Sequence, residues 1–224
     1  MVKLVYFNIR AKAELIRHLL NAGNIDYEDF HVHFLNDDGS FSTDEWYKLK
    51  PSTPFGQLPL LYWDGEEIAQ SMAMVRFVAR KVGLAGKSDM EFAQADMIAC
   101  HYEDIWTKLP KLRFAKTQEE RETLAAEFLN EFMPKWLTPL ENTLKKRGGT
   151  CYAGASTTFA DLAIMVALDF LQDPADRAFK DMNNIDARCK ILDDFPLVKA
   201  NYQRTCALPF VAAWRNKRPA SNGF

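Results

Sequence analysis

Short hydrophobic runs alternate with polar turns over the first 82 residues and predict a mixed α/β domain. The apolar run Val2–Phe7 predicts a strand, and apolar residues three to four positions apart in Ala13–Ala22 predict a helix. Gly23-Asn24 is a typical helix end. Tyr27–Phe34 alternates between apolar and polar residues, which predicts a half-buried strand. The residues predicted on its buried face are Phe30, Val32 and Phe34.

The remainder of this region predicts a short helix, a hairpin and a longer helix. The short helix begins at Thr43 or Asp44 and ends by Leu49, because prolines follow. Leu58–Trp63 and Glu66–Ala69 flank Asp64-Gly65, a pair suited to a type I′ turn. Ser71–Val82 is amphipathic. The predicted order is β-α-β-α-β-β-α, and the helical crossover between the first two strands implies parallel pairing and a mixed sheet.

Long segments of helical periodicity replace this pattern after residues 83–88. We therefore predict two domains, 1–82 and an all-helical 89–224. The segment Thr158–Leu171 is almost wholly apolar, which places it at the centre of a bundle. The other predicted helices are Asp89–Phe114, Thr117–Lys146, Ile185–Cys189 and Leu197–Trp214.

Composition narrows the classes of function. The 224 residues include 28 Lys and Arg against 30 Asp and Glu, a net charge of −2, which disfavours nucleic-acid binding. The first residues are too polar for a secretory signal, and no apolar run approaches the roughly 20 residues of a spanning helix. The four cysteines form no Cys-x-x-Cys pair. We expect a cytoplasmic protein without disulfides, bound neither to a membrane nor to nucleic acid.

Familiar cofactor motifs are missing from the sequence. It has no Gly-x-Gly-x-x-Gly, no Gly-Lys-Ser/Thr loop, no His-Glu-x-x-His and no Gly-x-Ser-x-Gly. His31 and His33 share a strand face, but solvent-facing strand histidines are commoner than metal ligands. We expect no metal site.

Four features of the first domain are candidates for ligand binding. Tyr6 lies at the carboxyl end of the first strand, where open α/β sheets tend to hold ligands, although a tyrosine packed in the sheet is the simpler interpretation. Leu58-Pro59 lies at a strand start. A trans bond is the commoner form, whereas a cis bond would turn the Leu58 backbone outward for docking.

The other two features concern helix ends. Gln70-Ser71 begins a helix, where Ser71 can serve as N-cap and the free N–H groups can also receive a carboxylate. Trp46 and Lys50 lie one helical turn apart, so an indole and a cation could close over a second carboxylate. Considered one at a time, Trp46 is more simply interpreted as an indole packed in the fold, and Lys50 as a solvated side chain.

Taken together, these segments resemble the cytosolic glutathione transferases, nearest to the sigma class that includes haematopoietic prostaglandin D synthase and invertebrate enzymes. The resemblance spans essentially the whole chain. It implies a thioredoxin-like first domain, a helical second domain and a homodimer. The segments that carry it are Val5–Asn8, Arg10–Arg17, Pro54–Leu61, Ile68–Ala73, Thr158–Leu162 and Trp214–Pro219.

The resemblance also implies site residues. Tyr6 would donate a hydrogen bond to the sulfur of glutathione, which is the substrate, and the thiolate would attack hydrophobic electrophiles or a peroxide. The implied glutathione-binding residues are Tyr6, Lys12, Trp46, Lys50, Gln57, Leu58, Pro59, Gln70, Ser71 and, from across the dimer interface, Asp104. The implied electrophile pocket contains Phe7, Ile9 and Lys111.

Three departures from the family pattern bear on function. Ala11 and Lys12 stand where relatives commonly have Gly and Arg, and lysine lacks the planar guanidinium fork. The segment between Phe34 and Trp46 is longer than in vertebrate prostaglandin D synthase. Lys111 replaces an aromatic residue, which argues against the same prostanoid specificity. Two alternatives stay open beside glutathione conjugation: a prostaglandin D isomerase, and a low-activity crystallin-like or ligand-carrying relative.

Overall fold

The computed structural model describes residues 1–34, 36, 40–172 and 190–218. The predicted helix Ile185–Cys189 lies outside the described residues, as does most of the polar turn near residue 38. The described chain groups into two compact units. The first is Met1–Leu84 together with the segment that begins at Pro209, and the second is Ala85–Leu208.

A four-stranded mixed sheet forms the centre of the first unit. The strands are β1 (Val2–Phe7), β2 (Tyr27–Val32), β3 (Leu60–Trp63) and β4 (Glu66–Ala69). They lie in the order β2-β1-β3-β4. β1 pairs parallel with β2 and antiparallel with β3, and β3 pairs antiparallel with β4. The mixed sheet predicted from the helical crossover is confirmed.

The hairpin between β3 and β4 forms as its turn residues predict. Asp64 and Gly65 have φ values of 52° and 89°. A type I′ turn requires positive φ at both central residues, and Asp-Gly tolerates this conformation well. The hairpin brings Ala69 opposite Leu60, so the residues that follow β4 lie beside the start of β3.

Helices cover both faces of the sheet. On one face, Trp46 and Leu49 of α2 (Asp44–Leu49) pack against the apolar cluster around Val5 and Leu60. Helices α1 (Ala11–Ala22) and α3 (Ser71–Lys81) pack against each other and bury their apolar sides. A short 3₁₀ turn, Lys50–Ser52, follows α2.

The prediction that Phe30 is buried is wrong. Val32 is fully buried, but Phe30 is 38% exposed. β2 is an edge strand, and the cluster that covers Val32 does not include Phe30. Instead the Lys3 ammonium lies 4.3 Å from the centroid of the Phe30 ring.

The described part of the second unit is helical. Ser88 and Thr117 cap the first and third helices, since each hydroxyl accepts a hydrogen bond from the backbone N–H three residues later. A 3₁₀ turn, Ile191–Asp194, precedes the last helix. The helices are α4 (Asp89–Glu103), α5 (Ile105–Arg113), α6 (Gln118–Glu127), α7 (Met133–Lys146), α8 (Phe159–Gln172) and α9 (Pro196–Cys206).

The two longest predicted helices are interrupted. Asp89–Phe114 divides at Asp104, where the N–H of Asp104 bonds to the carbonyl of His101 and the N–H of Thr107 to that of Asp104. Backbone hydrogen bonds that span three residues are those of a 3₁₀-helix, which is wound more tightly than the α-helices on either side. The second helix contains a π-helical turn at Phe128–Phe132 between α6 and α7. Hydrophobic periodicity alone does not reveal either interruption.

Helix α8 is central to the second unit, as its composition predicts. Its Asp161 is fully buried and accepts hydrogen bonds from the Thr158 N–H at 2.9 Å and the Asn201 amide at 2.7 Å. The Tyr152 N–H and Arg204 guanidinium also reach it. Burial raises the pKa of Asp161 even though these donors oppose the rise. The carboxylate serves the folding of this helix end.

The final helix, α10 (Pro209–Lys217), packs against α1 in the first unit. Cys100, Cys151 and Cys206 are free thiols. Within the described ranges, none of the helices has the length and hydrophobicity needed to cross a membrane.

Candidate glutathione site

A cleft of about 320 Å³ opens in the first unit beside the carboxyl end of β1. It gathers residues from four segments that are far apart in the sequence. The lining residues are Phe7, Lys12, Trp46, Phe55, Gly56, Gln57, Leu58, Pro59, Ala69, Gln70 and Ser71.

Tyr6 lies next to this cleft but is itself buried, with 5% exposure. The Val5–Leu60 pair ends the β1–β3 ladder, and the same register carried one residue further places Tyr6 opposite Pro59. Its ring centroid is 5.5 Å from that of Phe7, which lines the cleft. The end of β1 therefore places Phe7 in the cleft wall, whereas Tyr6, the predicted activator, lies directly behind it and does not line the cleft.

Aromatic rings and one cation form another side of the cleft. The Trp46 ring meets Phe7 edge to face, with centroids 5.4 Å apart. The Lys50 ammonium lies 6.0 Å from the centroid of the Trp46 ring. Lys50 does not line the cleft, but its side chain passes beside Gly56, which does. The predicted proximity of Trp46 and Lys50 is present.

The Leu58–Pro59 peptide bond is cis. Leu58 and Pro59 both line the cleft, and the amide of neighbouring Gln57 accepts a hydrogen bond from Gln70 at 3.5 Å. The residues before β3 and after β4 thus meet across the cleft, as the hairpin register requires.

Gln70, not Ser71, occupies the N-cap position of α3, so the prediction that Ser71 caps this helix is wrong. Gln70 has a φ of 70°, and its side chain makes no capping hydrogen bond. Ser71 is the first helical residue and lines the cleft. Since the first N–H groups of a helix and its dipole favour anions, this end of α3 suits a carboxylate.

Lys12, the second residue of α1, lines the cleft next to the loop that joins β1 to this helix. Ala11, the first residue of the helix, has a φ of 33°, in the left-handed region. Arg17, which sequence analysis did not single out, donates hydrogen bonds to the carbonyls of Ile9 and Arg10 from one side of this loop. The sequence signal that could have identified Arg17 is its position as a charged residue among the apolar residues of α1.

Other predicted site residues are not among those that line this cleft. Ile9 is buried, with 7% exposure, and does not line it. Asp104 and Lys111 belong to the second unit, where both are exposed. His101 Nδ1 lies 3.6 Å from the Asp104 carboxylate.

The strand histidines take part in local contacts. His31 Nε2 lies 3.3 Å from Asp29, and His33 Nε2 lies 2.6 Å from the Asn36 side-chain oxygen. Across the residues with described positions, no group of three or more His, Cys, Asp or Glu is arranged to hold a metal ion.

Comparison with known protein families agrees with this geometry. Residues 2–80 match the N-terminal domain of glutathione S-transferase, and residues 103–218 match its C-terminal domain. The chain belongs to the glutathione S-transferase family. It is accordingly a glutathione transferase with glutathione as its substrate, a thioredoxin-like first domain and a helical second domain.

Transferases of several animals are similar along nearly the whole chain. Glutathione S-transferase S1 of Drosophila melanogaster is 31% identical over 97% of this chain and 79% of its own length. Hematopoietic prostaglandin D synthase of Gallus gallus is 33% identical over 97% of this chain and 96% of its own. The structure of monomeric Na-GST-3, a glutathione S-transferase of Necator americanus, is 34% identical, covers 98% of both chains and has a TM-score of 0.80.

Proposed function

We propose that Tyr6 activates glutathione by donating its hydroxyl hydrogen bond to the substrate sulfur. A free thiol has a pKa near 8.5, so only a few per cent is thiolate at neutral pH. A hydrogen bond to the charged form lowers the pKa, and each unit corresponds to about 1.4 kcal/mol of stabilisation of the anion. The position of Tyr6 near the end of β1, with its ring centroid 5.5 Å from that of Phe7 in the cleft wall, supports this role.

The lining of the cleft supports a binding mode for the tripeptide. The Leu58 backbone, ahead of cis-Pro59, would bond the cysteinyl backbone, and Gln70 with Ser71 would hold the γ-glutamyl carboxylate at the start of α3. Trp46 and Lys50 would take the glycyl carboxylate, with help from Gln57. Lys12 would add positive charge near the sulfur. The observation that carries this proposal is the convergence of these segments on one cleft.

The electrophile and the assembly belong to the same proposal. The thiolate would attack a hydrophobic electrophile in a pocket for which we propose the residues Phe7, Ile9 and Lys111, from domains 1–82 and 89–224. Asp104 would reach the γ-glutamyl amine of a second subunit in a homodimer. The exposure of Asp104 is compatible with this role.

We also propose a sigma-class enzyme of the cytoplasm that acts in detoxification. The motifs that resemble this class, among them Pro54–Leu61 and Ile68–Ala73, support the class assignment. Light scattering on the purified protein tests the homodimer. A monomer, as the hookworm relative is described, would remove Asp104 from the glutathione site.

The deciding experiment is steady-state conjugation of glutathione to a chlorodinitrobenzene by the wild type and Tyr6→Phe. We expect kcat to fall about 100-fold, as when one donor to a developing anion is removed, with little change in KM for glutathione. Tyr62→Phe is the matched control, since the Tyr62 hydroxyl donates to Glu67. Equal activity of Tyr6→Phe and wild type would reject the assignment.

Prostaglandin D isomerisation is the second candidate function. The name of the chicken relative favours it, whereas Lys111 weighs against the same prostanoid specificity. Conversion of prostaglandin H₂ with and without glutathione decides between the two activities. Retention on immobilised glutathione without turnover of either substrate would instead indicate a ligand-carrying protein.

A further inference from the structure

Arg17 is a buried cation that ties the loop after β1 to the edge strand β2. Its side chain is 4% exposed. Its Nη1 donates to the carbonyl of Ile9 at 3.1 Å and to that of Arg10 at 3.4 Å. Its Nε and Nη2 donate to the two carboxylate oxygens of Asp29 at 2.9 and 3.3 Å. The planar guanidinium therefore links the loop that follows β1 to Asp29 of the neighbouring strand β2.

A strained residue follows directly after the loop that Arg17 holds, at the start of α1. Ala11 follows Arg10 and has a φ of 33°, a region that costs a residue with a Cβ about 1–2 kcal/mol. Such a conformation persists only where surrounding contacts over-determine it. The carbonyls that Arg17 binds lie immediately before Ala11, and Lys12, immediately after it, lines the cleft.

We propose that Arg17 is a positioning residue that holds the backbone of residues 9–12 and thereby places Lys12 in the glutathione cleft. The inference rests on the proposed function, because it takes Lys12 to act on bound glutathione. Arg17 itself touches no substrate in this account.

Acidic residues on two sides of Arg17 hold its guanidinium group in one position. Glu14 lies on its other side, with an oxygen 3.5 Å from Nη1. Burial raises the pKa of Asp29, but the hydrogen bonds from His31 and Arg17 outweigh this effect and lower it. Asp29 therefore remains a carboxylate at neutral pH and accepts hydrogen bonds from two nitrogens of the Arg17 guanidinium. Lysine has one ammonium and cannot bond both Asp29 oxygens and the two carbonyls in the same way.

The test compares Arg17→Lys, Lys12→Gln and the double variant in the full-length protein. The readouts are the pKa of the bound glutathione thiol, followed by ultraviolet absorbance of the thiolate, and KM and kcat for conjugation. We expect Arg17→Lys to raise the thiol pKa and to lower kcat/KM for glutathione by up to about 100-fold, the cost of a displacement near 1 Å. In the Lys12→Gln background, Arg17→Lys should change neither quantity further.

Arg204→Lys is the matched control. Arg204 also bonds a backbone carbonyl, that of Thr150, and a buried carboxylate, Asp161, but in the second unit. A similar loss of activity in Arg204→Lys, or additive effects of Arg17→Lys and Lys12→Gln, would overturn the proposal. If Arg17→Lys does not fold, Asp29→Asn serves as a second variant, because it weakens the hydrogen bonds between the Arg17 guanidinium and residue 29. A glutathione thiol pKa equal to that of the wild type in Asp29→Asn would also overturn the proposal.

Failure of the proposed function gives a different result. If Tyr6→Phe leaves the thiol pKa unchanged, Tyr6 is not the activator. The comparison between Arg17 and Lys12 does not involve Tyr6, so non-additivity of that pair would still support the positioning role.

Discussion

The Trp214 indole nitrogen donates a 3.0 Å hydrogen bond to a carboxylate oxygen of Glu14, 200 positions earlier in the chain. The Arg218 guanidinium donates to the same oxygen at 2.8 Å. Burial raises the pKa of Glu14, but the interactions with His18 and with the guanidinium groups of Arg17 and Arg218 outweigh this effect, so the pKa lies below its ordinary value. Glu14 therefore joins α10 to α1 as a buried anion.

Replacing Trp214 by Phe should destabilise the protein by about 1.5–3 kcal/mol, because a hydrogen bond to a charged acceptor is lost. Urea unfolding measures the change. Trp106→Phe is the matched control, since its indole nitrogen has no hydrogen-bond partner among the described residues. Equal destabilisation by the two substitutions would show that lost volume, not the bond to Glu14, sets the cost.

Stability should fall as the pH drops from 6.5 towards 4, because His18 must remain neutral in the fold. Burial lowers the pKa of His18 to about 4 from 6.5; Glu14 opposes the change, whereas Arg218, Arg215 and Arg17 add to it. Between these values the unfolded chain binds the extra proton, so the contribution of His18 is complete above pH 6.5 and is lost on acidification.

The His18 contribution amounts to roughly 3 kcal/mol over the whole interval. Urea midpoints at pH 7.5, 6 and 5 for wild type and His18→Phe measure it. The variant should lose the part of the pH slope that corresponds to one proton. Identical slopes in the two proteins would exclude His18 as the titrating group.

Replacing Ala11 by Gly should stabilise the fold by up to about 1 kcal/mol. Glycine removes the cost of the left-handed backbone, about 1–2 kcal/mol, and adds roughly 0.5–1 kcal/mol of chain entropy to be lost on folding. Ala13→Gly, in ordinary helical backbone of the same helix, should destabilise instead. Thermal unfolding of both variants gives the sign, and a loss of stability in Ala11→Gly contradicts the strain argument.

Replacing Lys50 by Met should raise KM for glutathione about two- to fivefold with kcat unchanged, because an exposed ion pair contributes equally to the ground and transition states. Lys48→Met is the control: Lys48 is also exposed, but it lies on α2, two residues before Lys50, whose ammonium is the one placed 6.0 Å from the Trp46 ring. An unchanged KM for glutathione in Lys50→Met would show that Lys50 does not contribute to glutathione binding. Initial rates at varied glutathione concentration provide both constants.

Local patterns accounted for much of the first unit. The apolar run of β1, the Asp64-Gly65 hairpin and helix α3 were predictable because each depends on residues close together in sequence. Short motifs such as Gln57-Leu58-Pro59 and Gln70-Ser71 predicted residues that line the cleft, whereas Phe55, Gly56 and Ala69 line it without having been predicted. Ser71 was given the wrong capping role, since the positive φ of Gln70 fixes the helix start one residue earlier.

The amino-acid sequence by itself determined the mixed sheet, the succession of helices and the family, since periodicity, turn chemistry and motif order are local properties. Only the tertiary structure decided that Phe30 stays exposed, that a helix breaks at Asp104, and that Arg17 meets Asp29 and Ile9. These outcomes depend on which distant segments cover a side chain or supply its hydrogen-bond partners. Helical periodicity appears as a regular spacing of apolar residues in the sequence. Burial by distant segments and hydrogen bonds between them follow no regular spacing, so the sequence alone does not predict them.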